Sequence, residues 1–270
     1  MPESSRHISP TLVRALALAR DALADAPGGL LTDIDGTLSA MVDDPGQARL
    51  ADGAASALTA LAARLAVVAV ITGRAATDAR RLVGVPELLV VGNHGTEWLE
   101  PGAMVPVLPT IASDVEHALA TVLARVPLLS GVMVEEKGLS ATVHLRAAAD
   151  PEHARAAVLA AIADPGPAIE VRRGRMSVEL RPVGLGDKGA AVRAIVESYR
   201  LRGVVVMGDD VTDLDMFSAV RELRDAGRLR AAIIAVGAGE DEVPPEVHAA
   251  ADLTIADPGE AAALLTALAG

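Results

Sequence analysis

Five short apolar runs, alternating with stretches of helical spacing, restrict this chain to few architectures. They are Leu30-Leu31-Thr32-Asp33-Ile34, Ala66–Ile71, Leu88–Val91, Val204–Met207 and Ala232–Val236. All are rich in β-branched residues, and none alternates cleanly between apolar and polar. A strand apolar on both faces needs cover on both faces, which is the situation of a parallel sheet between two helical layers. Helical spacing over 11–26, 54–64, 188–200, 213–225 and 259–268, with a further helix starting after Gly73, supplies that cover.

The rhythm changes after Trp98. Val105–Leu108 reads as a strand, Ile111–Val126 as a helix and Val132–Glu135 as a strand. Leu139–Arg146 alternates in polarity, as a half-exposed antiparallel strand does. Pro151–Ala163 is helical, and Ile169–Val171 and Met176–Leu180 form a hairpin about Arg173-Gly174. The fold class is therefore α/β: a Rossmann-like parallel-sheet core in two segments, 1–100 and 183–270, with a small α+β domain, 101–182, inserted between them.

Composition excludes several roles. With 24 basic against 36 acidic residues, a net charge of −12 and a sequence pI near 4.9, no nucleic-acid or anionic-membrane partner is expected. Zero cysteines exclude disulfides, thiolate metal sites and a cysteine nucleophile. The N-terminal segment lacks a basic start, a long apolar run and a small-residue cleavage site, and no run approaches the roughly 18 apolar residues of a membrane span. A soluble, cytoplasmic protein is expected. Among the 24 basic residues only Lys137 and Lys188 are lysines, and Asn93 is the sole asparagine. A lysine kept in an arginine-rich background marks a place where a compact ammonium is needed rather than a planar fork.

Four motifs stand at the ends of the predicted core strands, where open α/β sheets bind their ligands. Asp33-Ile34-Asp35-Gly36-Thr37-Leu38 brings two carboxylates to a turn, one placed to attack an electrophile and one to handle protons. Thr72-Gly73-Arg74 offers a hydroxyl and backbone N–H groups at a helix start, suited to a phosphoryl oxygen. Asp187-Lys188-Gly189 offers an ammonium. Gly208-Asp209-Asp210-Val211-Thr212-Asp213 gathers three acids, which repel one another unless a cation sits among them; a hard divalent ion with oxygen ligands is the simplest one. Capping of the following helix also uses acids here, but one cap does not need three.

In order and placement these motifs resemble those of the haloacid dehalogenase-like (HAD) phosphatases. That resemblance implies Asp33 as nucleophile, forming an aspartyl-phosphate, and Asp35 as general acid/base. It implies Thr72, Gly73, Arg74 and Lys188 around the phosphoryl group. Mg²⁺ would be held by the Asp33 carboxylate, the Asp35 backbone carbonyl and Asp209, with Asp210 and Asp213 beside them.

The inserted region carries Glu135-Glu136-Lys137-Gly138-Leu139-Ser140, Val143-His144-Leu145-Arg146 and Val178-Glu179-Leu180-Arg181-Pro182, and the core carries Gly92-Asn93-His94-Gly95. Together these are similar to the trehalose-6-phosphate phosphatases, a HAD branch whose insert is a small α+β cap of the C2B type. The resemblance implies hydrolysis of trehalose 6-phosphate to trehalose and phosphate, and places Glu135, Lys137, His144, Arg146 and Glu179 of the cap against the sugar. Asn93 and His94 would lie where core and cap meet, His94 either touching substrate or packing beneath it. Leu145 replaces a tyrosine common in the family pattern, and with Trp98, Tyr199 and Phe217 as the only aromatics there is little to stack on a sugar ring. Other sugar phosphates, such as mannosylglycerate, sucrose or hexose phosphates, are the nearest alternatives. A non-catalytic sugar-phosphate sensor is the alternative from another class, and it would have no need of the nucleophile.

Overall fold

The computed structural model describes residues 9–42, 44–174, 176–237, 239 and 243–270. The first residues of the N-terminal segment, read above as lacking a leader pattern, lie outside them. The chain divides into two compact units, one formed by Met1–Pro106 and Asp187–Gly270, the other by Val107–Gly186.

The first unit begins with α1 (Pro10–Ala22), β1 (Gly28–Thr32), α2 (Ala54–Ala62), β2 (Val67–Ile71), α3 (Ala76–Val83), β3 (Leu89–Gly92) and β4 (Glu97–Leu99). The second unit holds α4 (Ala112–Leu123), β5 (Met133–Glu136), β6 (Ala141–His144), α5 (Pro151–Ala161), β7 (Ile169–Arg173) and β8 (Ser177–Pro182). The first unit then resumes with α6 (Lys188–Ser198), β9 (Gly203–Gly208), α7 (Leu214–Asp225), β10 (Arg230–Val236), α8 (Pro245–Ala250), β11 (Leu253–Ile255) and α9 (Pro258–Ala269).

In the first unit seven strands run in the order β11-β10-β9-β1-β2-β3-β4, parallel except for β4, which pairs antiparallel with β3. The apolar runs fill both faces of this sheet. Leu30, Val68, Val70, Val90, Val205 and Ile234 pack with α1, α2, α3 and α9. The alternate positions, Leu31, Ala69, Ile71, Val91, Val206 and Ile233, pack with α6, α7 and α8. Each fully buried Leu, Ile or Val contributes about 1.5–3 kcal/mol, which explains why neither face can be polar. The mixed α/β architecture with a mainly parallel sheet follows directly. Arg20 and Arg64 donate to the carbonyls of Ala267 and Leu268, satisfying the last turn of α9 with cations as its dipole favours.

The second unit is an antiparallel sheet, β5-β6-β8-β7, with α4 and α5 on one face. Ala141, Val143, Val178 and Leu180 point into that apolar layer. Their neighbours Thr142, His144, Glu179 and Arg181 therefore point the other way, and the pairing of Glu135 with Thr142, and of Thr142 with Glu179, puts those three in one row across that second face.

Three expectations change. Val105–Leu108 is not a strand of either sheet: Val105 and Val107 are 76% and 65% exposed, and the segment lies between β4 and α4. β4, α8 and β11 went unanticipated, each too short to show a period. The first helix stops at Ala22 rather than 26, because the chain must turn there to enter β1. Among the described residues no helix is long and apolar enough to cross a membrane.

Candidate active site

Strands β9, β1 and β2 are adjacent and parallel, so the residues following them emerge at the same edge of the sheet. Asp33 follows β1; its backbone N–H donates to Met207 O on β9 at 3.0 Å. The chain then folds back sharply. Ile34 O accepts from the N–H groups of Thr37, Leu38 and Ser39, and the buried side chains of Ile34 and Leu38 anchor the turn in the core. This holds Asp33 and Asp35 at the sheet edge.

Gly36 is required by that turn. Its φ is +82°, and a Cβ built there would lie 1.9 Å from Asp209 Oδ2. The Asp209 carboxylate rests on the bare glycine and accepts a 2.7 Å hydrogen bond from Thr37 Oγ1. Gly36→Ala is expected to lower stability by about 2–3 kcal/mol, combining a left-handed backbone with a displaced buried carboxylate. Urea melts check this, and a variant as stable as the parent would show that Asp209 can move aside freely.

Lys188, at the start of α6, is 2% exposed. Its Nζ donates to Asp213 Oδ1 at 2.6 Å and forms an ion pair with Asp33 Oδ1 at 3.1 Å. Burial pushes the ammonium's pKa down, but Asp213 and Asp33 outweigh it and hold it above lysine's ordinary range. Asp213 is fully buried, and its second oxygen accepts from the N–H groups of Asp209 and Asp210 at 2.9 and 3.1 Å. Burial raises the Asp33 carboxyl to about 7; Lys188 opposes this, while Asp213 and Asp35 add to it. Asp209 is likewise pushed well above the usual carboxylate range by burial, then by Asp213 and Asp33.

Ligand oxygens of Asp33, Asp209 and Asp213 lie within 4.8 Å of one another. If all three carboxyl groups are ionised, they exceed the one ammonium by two negative charges. Burial, together with that surplus, raises Asp33 and Asp209, and one oxygen of Asp33 lacks a hydrogen-bond donor. An all-oxygen set with that charge fits a hard divalent cation. Because both oxygens of Asp213 are already engaged, Asp33 and Asp209 are the carboxylates open to an ion. Asp210 is exposed.

Thr72 follows β2, is 1% exposed, and accepts from Arg74 N–H through its hydroxyl at 3.2 Å. The Arg74 side chain spans Asp35, with Nε and Nη2 each 2.7 Å from one carboxylate oxygen, and Nη1 donates to Pro45 O. The sequence placed Arg74 on the phosphate; the structure shows it on Asp35.

Asn93 is buried, and its amide donates to Glu97; its backbone and that of His94 adopt positive φ values of 46° and 58°. The His94 ring packs over Gly73, where a Cβ would lie 2.6 Å from its Cε1. In the second unit Glu135 accepts from His144 Nε2 at 2.8 Å and pairs with Lys137 at 3.5 Å. Burial raises the Glu135 carboxyl, but those two neighbours outweigh it and the net direction is downward. Glu179 pairs with Arg181. Arg146 is exposed in the turn after β6. Thr37 and Glu97 went unmarked in the sequence; Thr37's place directly after Asp-x-Asp-Gly was the available signal for it.

The trehalose-phosphatase family model matches residues 31–248. The chain belongs to this family. A family relative, the trehalose-phosphate phosphatase of Mycobacterium avium, is 38% identical over 227 residues, covering 78% of this chain and 56% of that protein. The chain thus spans little more than half the length of that relative. Among solved structures, the C-terminal domain of Candida albicans trehalose-6-phosphate phosphatase aligns with a TM-score of 0.75 at 22% identity, over 95% of this chain and 97% of that one. A phosphatase of the haloalkanoate (HAD) superfamily from Bacteroides thetaiotaomicron aligns at 0.57 and 16% identity, over 88% and 92%. These two share the family fold.

Proposed function

We propose that the chain is a trehalose-6-phosphate phosphatase of the HAD type, releasing trehalose and inorganic phosphate. The observation that carries this reading is the buried Asp33–Lys188–Asp213 array beside Asp209, standing where a phosphate dianion must meet a carboxylate. Such an encounter is repulsive, and only fixed cations make it feasible. Mg²⁺ held by Asp33, the Asp35 backbone carbonyl and Asp209, with Asp210 and Asp213 adjacent, would balance the surplus charge and polarise the phosphoryl group.

Asp33 attacks phosphorus; the bond from phosphorus to the sugar oxygen breaks as the bond to the Asp33 oxygen forms. Asp35 enters this step protonated, Arg74 having released one of its oxygens, and gives that proton to the departing sugar oxygen. A water then attacks the phosphorus, Asp35 takes back a proton from it, and Asp33 leaves as a carboxylate. Lys188 neutralises Asp33, while the N–H of Gly73 and the Thr72 hydroxyl, itself held by the Arg74 N–H, bind the phosphoryl oxygens. Arg74 now bridges both oxygens of Asp35, so it shifts toward the arriving dianion and frees one of them for the sugar oxygen.

We assign sugar recognition to the second unit, acting as the cap. Its polar face presents Glu135 and Glu179 in one row, with His144 and Lys137 joined to Glu135, and Arg146 follows in the turn after β6. Carboxylates in this setting accept paired hydroxyl hydrogen bonds, and Asn93 and His94 border the phosphate loop. Phosphate release from a panel of sugar phosphates, with and without Mg²⁺, tests the reading. Trehalose 6-phosphate should be the best substrate and Mg²⁺ should be required; a different favoured sugar would reassign the substrate but keep the chemistry. Alanine at Glu135, Lys137 or Glu179 should each cut kcat/KM for trehalose 6-phosphate roughly 10- to 100-fold, the worth of a charge-assisted hydrogen bond. Para-nitrophenyl phosphate, which lacks the sugar, should change little. Equal losses on both substrates would make these residues structural.

A further inference from the structure

Glu97 lies outside every motif that drew attention in the sequence, yet it joins the supports of two of them. It sits on β4, 5% exposed, a carboxylate in an apolar strand. One oxygen accepts from the backbone N–H of Ala76 at 2.7 Å, and the other from the side-chain amide of Asn93. Ala76 is the first residue of α3, a helix with no side-chain cap of its own. Glu97 is therefore a remote cap, satisfying an orphan N–H and complementing the helix dipole directly after Thr72-Gly73-Arg74.

The Asn93 side of the contact is as informative. Asn93 and His94 are held in left-handed backbone, uncommon for residues with a Cβ. That turn grips the phosphate loop by its carbonyls: Asn93 N–H donates to Arg74 O at 2.8 Å, and His94 N–H to Thr72 O at 2.9 Å. Gly92 allows the closest approach, since a Cβ there would lie 2.4 Å from Ala76 N. On its other side the turn touches the start of α6, where a Cβ at Gly95 would lie 2.6 Å from Asp187 O, one residue before Lys188. One short segment thus braces both the Thr72 loop and the helix that carries Lys188.

We propose that Glu97 is a positioning residue for phosphoryl transfer: its two oxygens lock the start of α3 to the Asn93–His94 turn, fixing the orientation of the Thr72-Gly73-Arg74 loop and the foot of the Lys188 helix. The proposal rests on the phosphatase reading above. Burial pushes the Glu97 carboxyl above its usual range, against the hydrogen bonds from Ala76 and Asn93. A carboxylate kept there at that disadvantage marks a place where two acceptors are wanted at once.

The test compares the wild-type chain with Glu97→Ala, Glu97→Asp and Glu97→Gln in Mg²⁺, using trehalose 6-phosphate and para-nitrophenyl phosphate, well below each variant's Tm. Alanine should lower kcat about 30- to 100-fold on both substrates with KM within threefold, because the loop is misplaced for the transition state rather than for binding. Aspartate, one methylene short, reaches only one partner and should lose about tenfold. Glutamine keeps the length and an acceptor for Ala76, and should recover at least tenfold of the alanine loss. Amide exchange should also quicken across residues 72–79 in Glu97→Ala beyond the change in global stability. A folded alanine or aspartate variant with wild-type kcat overturns the proposal, as does a glutamine variant as slow as alanine. Should alanine fail to fold, aspartate against glutamine decides. A wild type inactive on both substrates overturns the phosphatase reading instead, and the exchange measurement then decides the role of Glu97.

Discussion

Asp33→Asn is expected to reduce turnover at least 10⁴-fold on any phosphate ester while leaving the protein folded. An amide of the same shape cannot form the phosphoenzyme, and the fixed cations around it add little without a nucleophile. The same substitution changes stability in a direction that distinguishes it from damage. In the folded chain without metal, burial holds the Asp33 carboxyl at about 7, against 3.8 as its ordinary value. The folded state therefore binds the proton more tightly than the unfolded one. Its contribution is complete below about pH 4 and is lost as pH rises through 7. Asparagine has no such dependence. In EDTA, the Tm of Asp33→Asn should match that of wild type only below about pH 4 and exceed it by a margin that widens up to about pH 7 and is full near pH 8. Added Mg²⁺ should reverse the order, since wild type gains the ion's binding energy and the variant loses a ligand. Phosphate release and paired thermal melts check both halves. Residual hydrolysis above one part in a hundred would remove Asp33 as nucleophile.

Lys188→Met should be more damaging to the fold than any other single change in the site. It leaves Asp33, Asp209 and Asp213 buried with no cation among them, and breaking a buried ionic network from one side costs about 3–5 kcal/mol. Turnover should fall at least 10³-fold. Lys188→Arg should not rescue it: Nζ is enclosed between two carboxylates at 2.6 and 3.1 Å, and a planar guanidinium needs a broader slot. Mg²⁺ should restore part of the stability by neutralising the acids, yet little of the rate. Urea melts with and without Mg²⁺, set beside phosphate release, separate the two effects. A Met variant of wild-type stability would mean that the three carboxylates do not carry the charge assigned to them.

Lys188 also shows how much of the site could be read in advance. A rare lysine flanked by an aspartate and a glycine, just before a helical pattern, was a visible signal, and so were the acids placed after apolar runs. The parallel core was legible because its strands are buried on both faces and cannot hide that in their composition. What escaped shares one property: dependence on partners brought close only by strand order. The pairing of Arg74 with Asp35, 39 residues away, could not be read in advance, because it exists only through the adjacency of β1 and β2. Glu97 belongs to a three-residue antiparallel strand, too short to register, and its role exists only through Ala76 and Asn93. Val105–Leu108 erred the other way, an apolar run that joins neither sheet.

The central position of β1 has a consequence for how the molecule is made. During synthesis β1 emerges well before one of its two neighbours, β9, which is built from Gly203–Gly208. Until the ribosome has delivered that stretch, the middle strand of the finished sheet has an open edge, and Asp33 has neither Lys188 nor Asp209 nearby. Pairings this distant along the chain are slow to close. A product stalled before that stretch would therefore keep Asp33 apart from Asp209 and be inclined to recruit other chains along the open edge, so the carboxylate cluster comes into being only when β9 docks.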